Sequence, residues 1–164
     1  MPSLARALAV VAALALAGPA AATADDQSIY NAFHRSHPRF KQLREEFERG
    51  EDHWVRSNYK DPDPACKACR ATAALAEKVS DTIRPKKSSS TAGEKAHDLV
   101  MRALNHRRKW ADSERTAIEA FMRFDGDGYL RRHHRAKAYI ARAQDYEARA
   151  QKLFERAGVD TNPP

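Results

Sequence analysis

The apolar positions along this chain recur at helical intervals. Phe40, Leu43 and Phe47 are spaced by three and four, and so are Cys69, Thr72, Ala76, Val79 and Ile83, with Cys66 one turn earlier. Each series draws one stripe along a helix, because about 3.6 residues make a turn. Ala96, Leu99, Val100, Ala103 and Leu104 form a third stripe, continued inward by Ile118, Phe121 and Met122. The last series is the most regular: Ala136, Tyr139, Ala143, Tyr146, Ala150, Leu153 and Ala157. Alanine alternating with a large residue lets a neighbouring helix approach closely. No window alternates apolar and polar residues long enough for a strand. The pattern predicts an all-α fold, a small bundle of about four main helices.

The punctuation refines this. A short helix over 25–36 carries Ile29 and Phe33, and Pro38 suits the first turn of the next. Gly50 either ends that helix or lets it run on through Trp54 and Val55. Asp63-Pro64 reads as an N-cap followed by N1, Pro85 as a stop, and 86–90 as a solvated linker. Thr91 with Glu94 is a capping-box pattern. Asp112 or Ser113 restarts or continues that helix, Asp125-Gly126-Asp127-Gly128 ends it, and Gly158 ends the last. The expected layout is a single helical domain over 25–158 and a disordered tail over 159–164.

Residues 1–24 read as a secretory signal peptide. Arg6 is followed by the apolar run 7–17, the breaker Gly18-Pro19 and the exit Ala22-Thr23-Ala24. The run is too short for a spanning helix, which needs about 20 residues. The expectation is a mature chain that starts at Asp25, has no integral membrane segment and is exported, in a bacterium to the periplasm. That compartment is oxidising.

Composition narrows the class. The chain has 164 residues, 42% hydrophobic and 31% charged, which fits one globular domain and excludes a disordered chain or a membrane bundle. Its two cysteines exclude a disulfide-rich mini-protein. The net charge is +7. Arg107, Arg108 and Lys109, with Arg131, Arg132 and Arg135, form two clusters that predict a basic surface. For an exported chain without a nucleic-acid motif, the matching partner is an anionic surface or an acidic protein, not nucleic acid.

Cys66-Lys67-Ala68-Cys69 is the best local motif, and three chemistries fit it. The first is a disulfide near a helix start, where the helix N-terminus and Lys67 favour a thiolate at Cys66. The second is a transition-metal site such as zinc, with His34 and His37 supplying the two further ligands. His97, His106 and His133-His134 are alternative donors. The third is covalent haem, which needs a histidine at position 70, where this chain has Arg70.

The segment 110–121 is similar to the terminal helix of small c-type cytochromes, and that resemblance implies haem. A helical protein with this motif also resembles flavin-dependent sulfhydryl oxidases. That implies FAD among residues such as Trp54, Asn105, His106 and Trp110. The run 125–130 resembles part of a calcium loop, but Arg123 and His134 stand where the first and last carboxylates belong, so it reads as an acidic turn. No nucleophile elbow, phosphate loop or zincin motif is present in the sequence.

The functional expectation is an exported helical binding or accessory protein with a redox or metal site at Cys66 and Cys69. The alternative is an electron-transfer or thiol-redox protein using haem or flavin. A third reading is a periplasmic stress chaperone, although the chain lacks the LTxxQ repeats of the family it would be compared with.

Overall fold

The computed structural model describes residues 24–88 and 90–162. The expected signal segment lies outside the described residues except for Ala24. All regular structure among the described residues is helical. Helix α1 spans Ala24–His34, α2 His37–Arg56, α3 Asp63–Ile83, α4 Thr91–Met122 and α5 Gly126–Arg156. Four are long, at 20, 21, 32 and 31 residues, and α1 is short at 11. The periodicity therefore read the fold class correctly, and α4 runs unbroken through Asp112 and Ser113.

Gly50 does not end α2. A Cβ placed there would lie 2.4 Å from the Ala65 amide nitrogen. The glycine lets the first turn of α3 press against the backbone of α2, and the helix continues to bury Trp54. Val55, by contrast, is half exposed.

Three helix ends share one architecture. After α5, Val159 N–H donates to the Phe154 carbonyl and Gly158 N–H to that of Glu155. After α2, Tyr59 and Asn58 donate to Trp54 and Val55, and after α4, Asp125 and Phe124 donate to Ala120 and Phe121. This paired pattern is the Schellman motif, whose C′ residue is left-handed. The C′ residues are Gly158 (φ 78°), Asn58 (φ 55°) and Phe124 (φ 61°).

The starts differ from expectation by a residue or two. Ser90, not Thr91, caps α4, its hydroxyl accepting from Gly93 N–H. Asp63 is the first residue of α3 rather than its cap, and its own N–H is held by the Asp61 carboxylate. Asp125 caps α5 by accepting from Gly128 N–H. Met122 is 43% exposed, although periodicity places it inward, because it is the last residue of α4 and Phe121 beside it takes the inward contacts with Trp54, Tyr59 and Tyr129.

The core forms two clusters. The first joins Ile29, Phe33 and Phe40 to Ala76, Ile83, Val100, Leu104 and Phe154. The second joins Phe47, Trp54, Cys66, Cys69, Trp110, Ile118 and Ile140. Ala136, Ala143, Ala150 and Ala157 are all buried, so α5 meets α4 along its alanine stripe. Helix α2 packs on α3, α3 on α4 and α4 on α5, while α2 and α5 approach each other far less closely. An open seam lies between α2 and α5.

The expected disordered tail is not found at its described residues. Val159 is buried in the first cluster. Gln27 exchanges two hydrogen bonds with the Asp160 backbone, and the Tyr30 hydroxyl donates to the Thr161 carbonyl at 2.9 Å. The Schellman turn at Gly158 directs the chain back onto α1, which is why it is ordered.

Candidate functional site

The open seam is a groove of about 510 Å³ between α2 and α5. Its walls carry Pro38 and Phe40 from α2 and Ile140 from α5, with His34 and His37 at one end. Lys41 and Arg44 of α2 line it, the Arg44 guanidinium donating to Glu48 at 3.0 Å, and Gln144 adds an amide. An adjoining hollow of about 450 Å³ shares His34, His37, Gln144 and Glu147 and continues toward Tyr30 and Thr161.

Arg107 and Glu147 cross the groove floor. The guanidinium binds the carboxylate through two bonds, Nε–Oε1 at 2.6 Å and Nη2–Oε2 at 2.9 Å. The side chains are only 13% and 14% exposed, and the Arg107 guanidinium also lies 4.5 Å above the Phe40 ring. A fork-on-fork pair of this kind fixes both side chains. The surface role expected for Arg107 is therefore corrected: its charge is answered by Glu147 inside the bundle.

His37 sits between Phe33, edge-on at 4.5 Å, and His34, at 5.7 Å between ring centres. Burial, foremost, pushes its pKa down, opposed by the Glu147 carboxylate and helped by Arg107 and His34. The ring is thus neutral near pH 7. Its Nε2 is buried without a hydrogen-bond partner. A buried polar atom left unpaired costs folding energy, so it calls for a reason.

The cysteines lie elsewhere. Both are free thiols, 7% and 1% exposed, inside the second cluster. The expected disulfide is not formed, and the reason is geometric. A regular helix through both residues keeps Cβ atoms three apart at about 5–6 Å, whereas a disulfide needs about 3.5–4.5 Å. The expected thiolate is corrected too. Burial pushes both thiols up, Cys69 most strongly, and the Glu114 carboxylate adds to the effect at Cys69. Lys67 and Arg70 face solvent.

The structure does not bring His34 and His37 to the cysteines; they line the groove while the thiols sit in the other cluster. Among the described residues no group of three or more His, Cys, Asp or Glu side chains could hold a metal ion. Trp54 and Trp110 do pack beside the thiols. His106 instead meets Tyr139 and Tyr146, and Asn105 is exposed. Of the basic residues, Arg108, Lys109, Arg131 and Arg135 are exposed, and Arg132 reaches back to the Asp125 carboxylate at 3.5 Å.

Sequence reasoning missed Glu114. It is 4% exposed, and its Oε2 lies 2.9 Å from His133 Nδ1. Burial raises its pKa, against the opposing pull of His133. The signal was present: Glu114 falls on the stripe between Trp110-Ala111 and Ala117-Ile118, at a position that should be apolar. Glu147 and Gln144 carried no such mark.

Searches against family models, curated proteins and solved structures find no match for this chain.

Proposed function

We propose that this protein binds a small anionic amphipathic molecule in the α2–α5 groove. The observation that carries the reading is the groove's mixed lining: an apolar wall of Phe40, Ile140 and Pro38 beside the cations of Lys41 and Arg44, the second of which shares its charge with exposed Glu48. Its volume suits a small organic ligand, for which pockets run about 300–1,000 Å³. The apolar wall takes the body of the ligand, and the cations take its charge. Arg107 and Glu147 hold the floor rigid rather than bind, since each satisfies the other. The signal-like leader supports placing this activity outside the cytoplasm. The buried thiols argue against the redox form of this reading, because a thiol without access or thiolate character reacts slowly.

The test compares decanoate, decanol and decyltrimethylammonium by isothermal titration. Decanoate should bind at least tenfold more tightly than either, and Lys41→Glu should abolish that preference without lowering stability, because Lys41 is exposed. Equal affinity for the three head groups, or no binding, would overturn the proposal.

A further inference from the structure

The end of the bundle formed by the α2–α3 loop and the α4–α5 turn is unlike the rest of the surface. Among the described residues, the exposed large hydrophobic side chains are all there: Val55, Tyr59, Met122, Phe124 and Leu130. The aromatic cluster beneath them joins the two loops. Tyr59 lies tilted against Phe121 with ring centres 4.8 Å apart, and Phe121 meets Tyr129 at 5.6 Å. Phe124 is 99% exposed.

Phe124 is also the wrong residue for its turn. It occupies the left-handed C′ position that elsewhere in this chain is taken by Gly158 and Asn58. A residue with a Cβ is strained in that region, and asparagine tolerates it better than phenylalanine. The strain therefore presents a large apolar ring to solvent, where it contributes nothing to the core.

The rim is basic. Val55, Tyr59, Met122 and Leu130 are each followed directly by a cation: Arg56, Lys60, Arg123 and Arg131. These four are exposed, and none forms an ion pair among the described residues. Of the neighbouring acids, Asp61 pairs with His53 and Asp125 with Gly128 and Arg132, while exposed Asp127 offsets one of the four cations.

We propose that this pole docks onto an anionic lipid surface. Phe124, Met122 and Leu130 enter the boundary between head groups and acyl chains, while Arg56, Lys60, Arg123 and Arg131 meet lipid phosphates. Apolar insertion combined with cationic attraction is how peripheral proteins hold such surfaces. A second copy fits less well. Two copies meeting face to face would oppose like charges, and a stable interface uses about 20–30 residues a side. The pole is separate from the groove, so this proposal does not depend on the ligand bound there.

The experiment places a reporter at the pole. Phe124→Trp in the full chain introduces one exposed indole, against Trp54 and Trp110, which are buried. Vesicles containing phosphatidylglycerol should shift the emission to the blue, doxyl-labelled acyl chains should quench it, and added salt should reverse both effects. Phosphatidylcholine vesicles should do neither. Arg123→Glu with Arg131→Glu should remove the response.

Phe124→Gly separates binding from folding. It should raise the melting temperature, because glycine relieves the strain. It should also weaken pole-dependent vesicle binding at least tenfold, the scale expected for losing one buried aromatic side chain. An indole that stays solvent-like with anionic vesicles would overturn the proposal, as would an equal response to neutral lipid. A blue shift that grows with protein concentration without lipid would overturn it in favour of self-association.

Discussion

Gly50→Ala tests the close backbone approach of α3 to α2. On an ordinary exposed helix this change stabilises by about 1 kcal/mol. Here the new methyl would meet Ala65 N at 2.4 Å and both Ala65 Cα and the Pro64 carbonyl carbon at 2.8 Å. These are backbone atoms at the start of α3, so no side-chain rotation relieves the clash. Ordinary carbon contacts begin near 3.5 Å, and α3 would have to withdraw by roughly 1 Å. Overpacking of this kind costs about 1–3 kcal/mol, and loosening the Cys66 and Cys69 layer adds to it. After the propensity gain, the expected net loss is about 2 kcal/mol, read as a melting temperature lowered by roughly 4–8 °C. Gly126→Ala is the control: a Cβ there meets nothing within 4 Å, so stability should stay within about 0.5 kcal/mol. Urea denaturation of both variants against the parent gives the answer. A Gly50→Ala protein as stable as its parent would show that α2 and α3 do not meet this closely.

Three further outcomes follow from buried groups. Burial raises the Glu114 pKa, so the folded state holds that proton more tightly than the unfolded chain does. Its contribution is then complete below the ordinary carboxylate value of 4.5 and lost as pH rises through the raised one. Glu114→Gln should therefore flatten the fall in stability on the alkaline side of pH 4.5, measured by urea midpoints across pH; superimposable slopes would refute the assignment. Both thiols should ignore an aromatic disulfide reagent at neutral pH in the native protein and react fully in denaturant, and rapid native labelling would contradict their burial. A chain ended after Gly158 loses buried Val159 and the bonds to Gln27 and Tyr30, so it should be less stable by about 2 kcal/mol; unchanged thermal unfolding would mean that the tail merely rests on α1.

The fold was legible because core positions were marked twice, by residue type and by spacing. The stripe from Cys69 to Ile83 is buried throughout. The alanines of α5 lie against α4 as their size allows, though Ile140 and Phe154 also face inward outside the strict repeat. Legibility failed where the deciding contact is distant in sequence. Whether Gly50 stops a helix or admits a neighbour depends on Ala65. Whether Arg107 is a surface cation depends on Glu147, forty residues away. The tail needed Tyr30 and Gln27 to be ordered. The cysteine motif misled for a different reason: its spacing was right, but regular helix on both sides fixes the sulfurs apart, and burial suppresses the thiolate that the helix N-terminus would favour.

The groove follows from how the bundle divides its packing. Helices α4 and α5 close tightly because one side of the contact is mostly alanine. Helix α2 buries Phe40, Leu43, Phe47 and Trp54, large side chains that reach the core from a distance and hold its backbone away from α5. A chain selected for stability alone would fill the remaining seam with apolar side chains, since exchanging a buried ion pair for well-packed hydrophobes is often neutral or stabilising by about 1–4 kcal/mol. This chain instead places Arg107, Glu147 and an unpartnered histidine there. The same preference is visible at the pole, where Phe124 occupies a left-handed turn that glycine would fill with less strain. In both places the residue present is less favourable for folding than an available alternative. Both also open onto solvent, where a ligand or a surface can reach them.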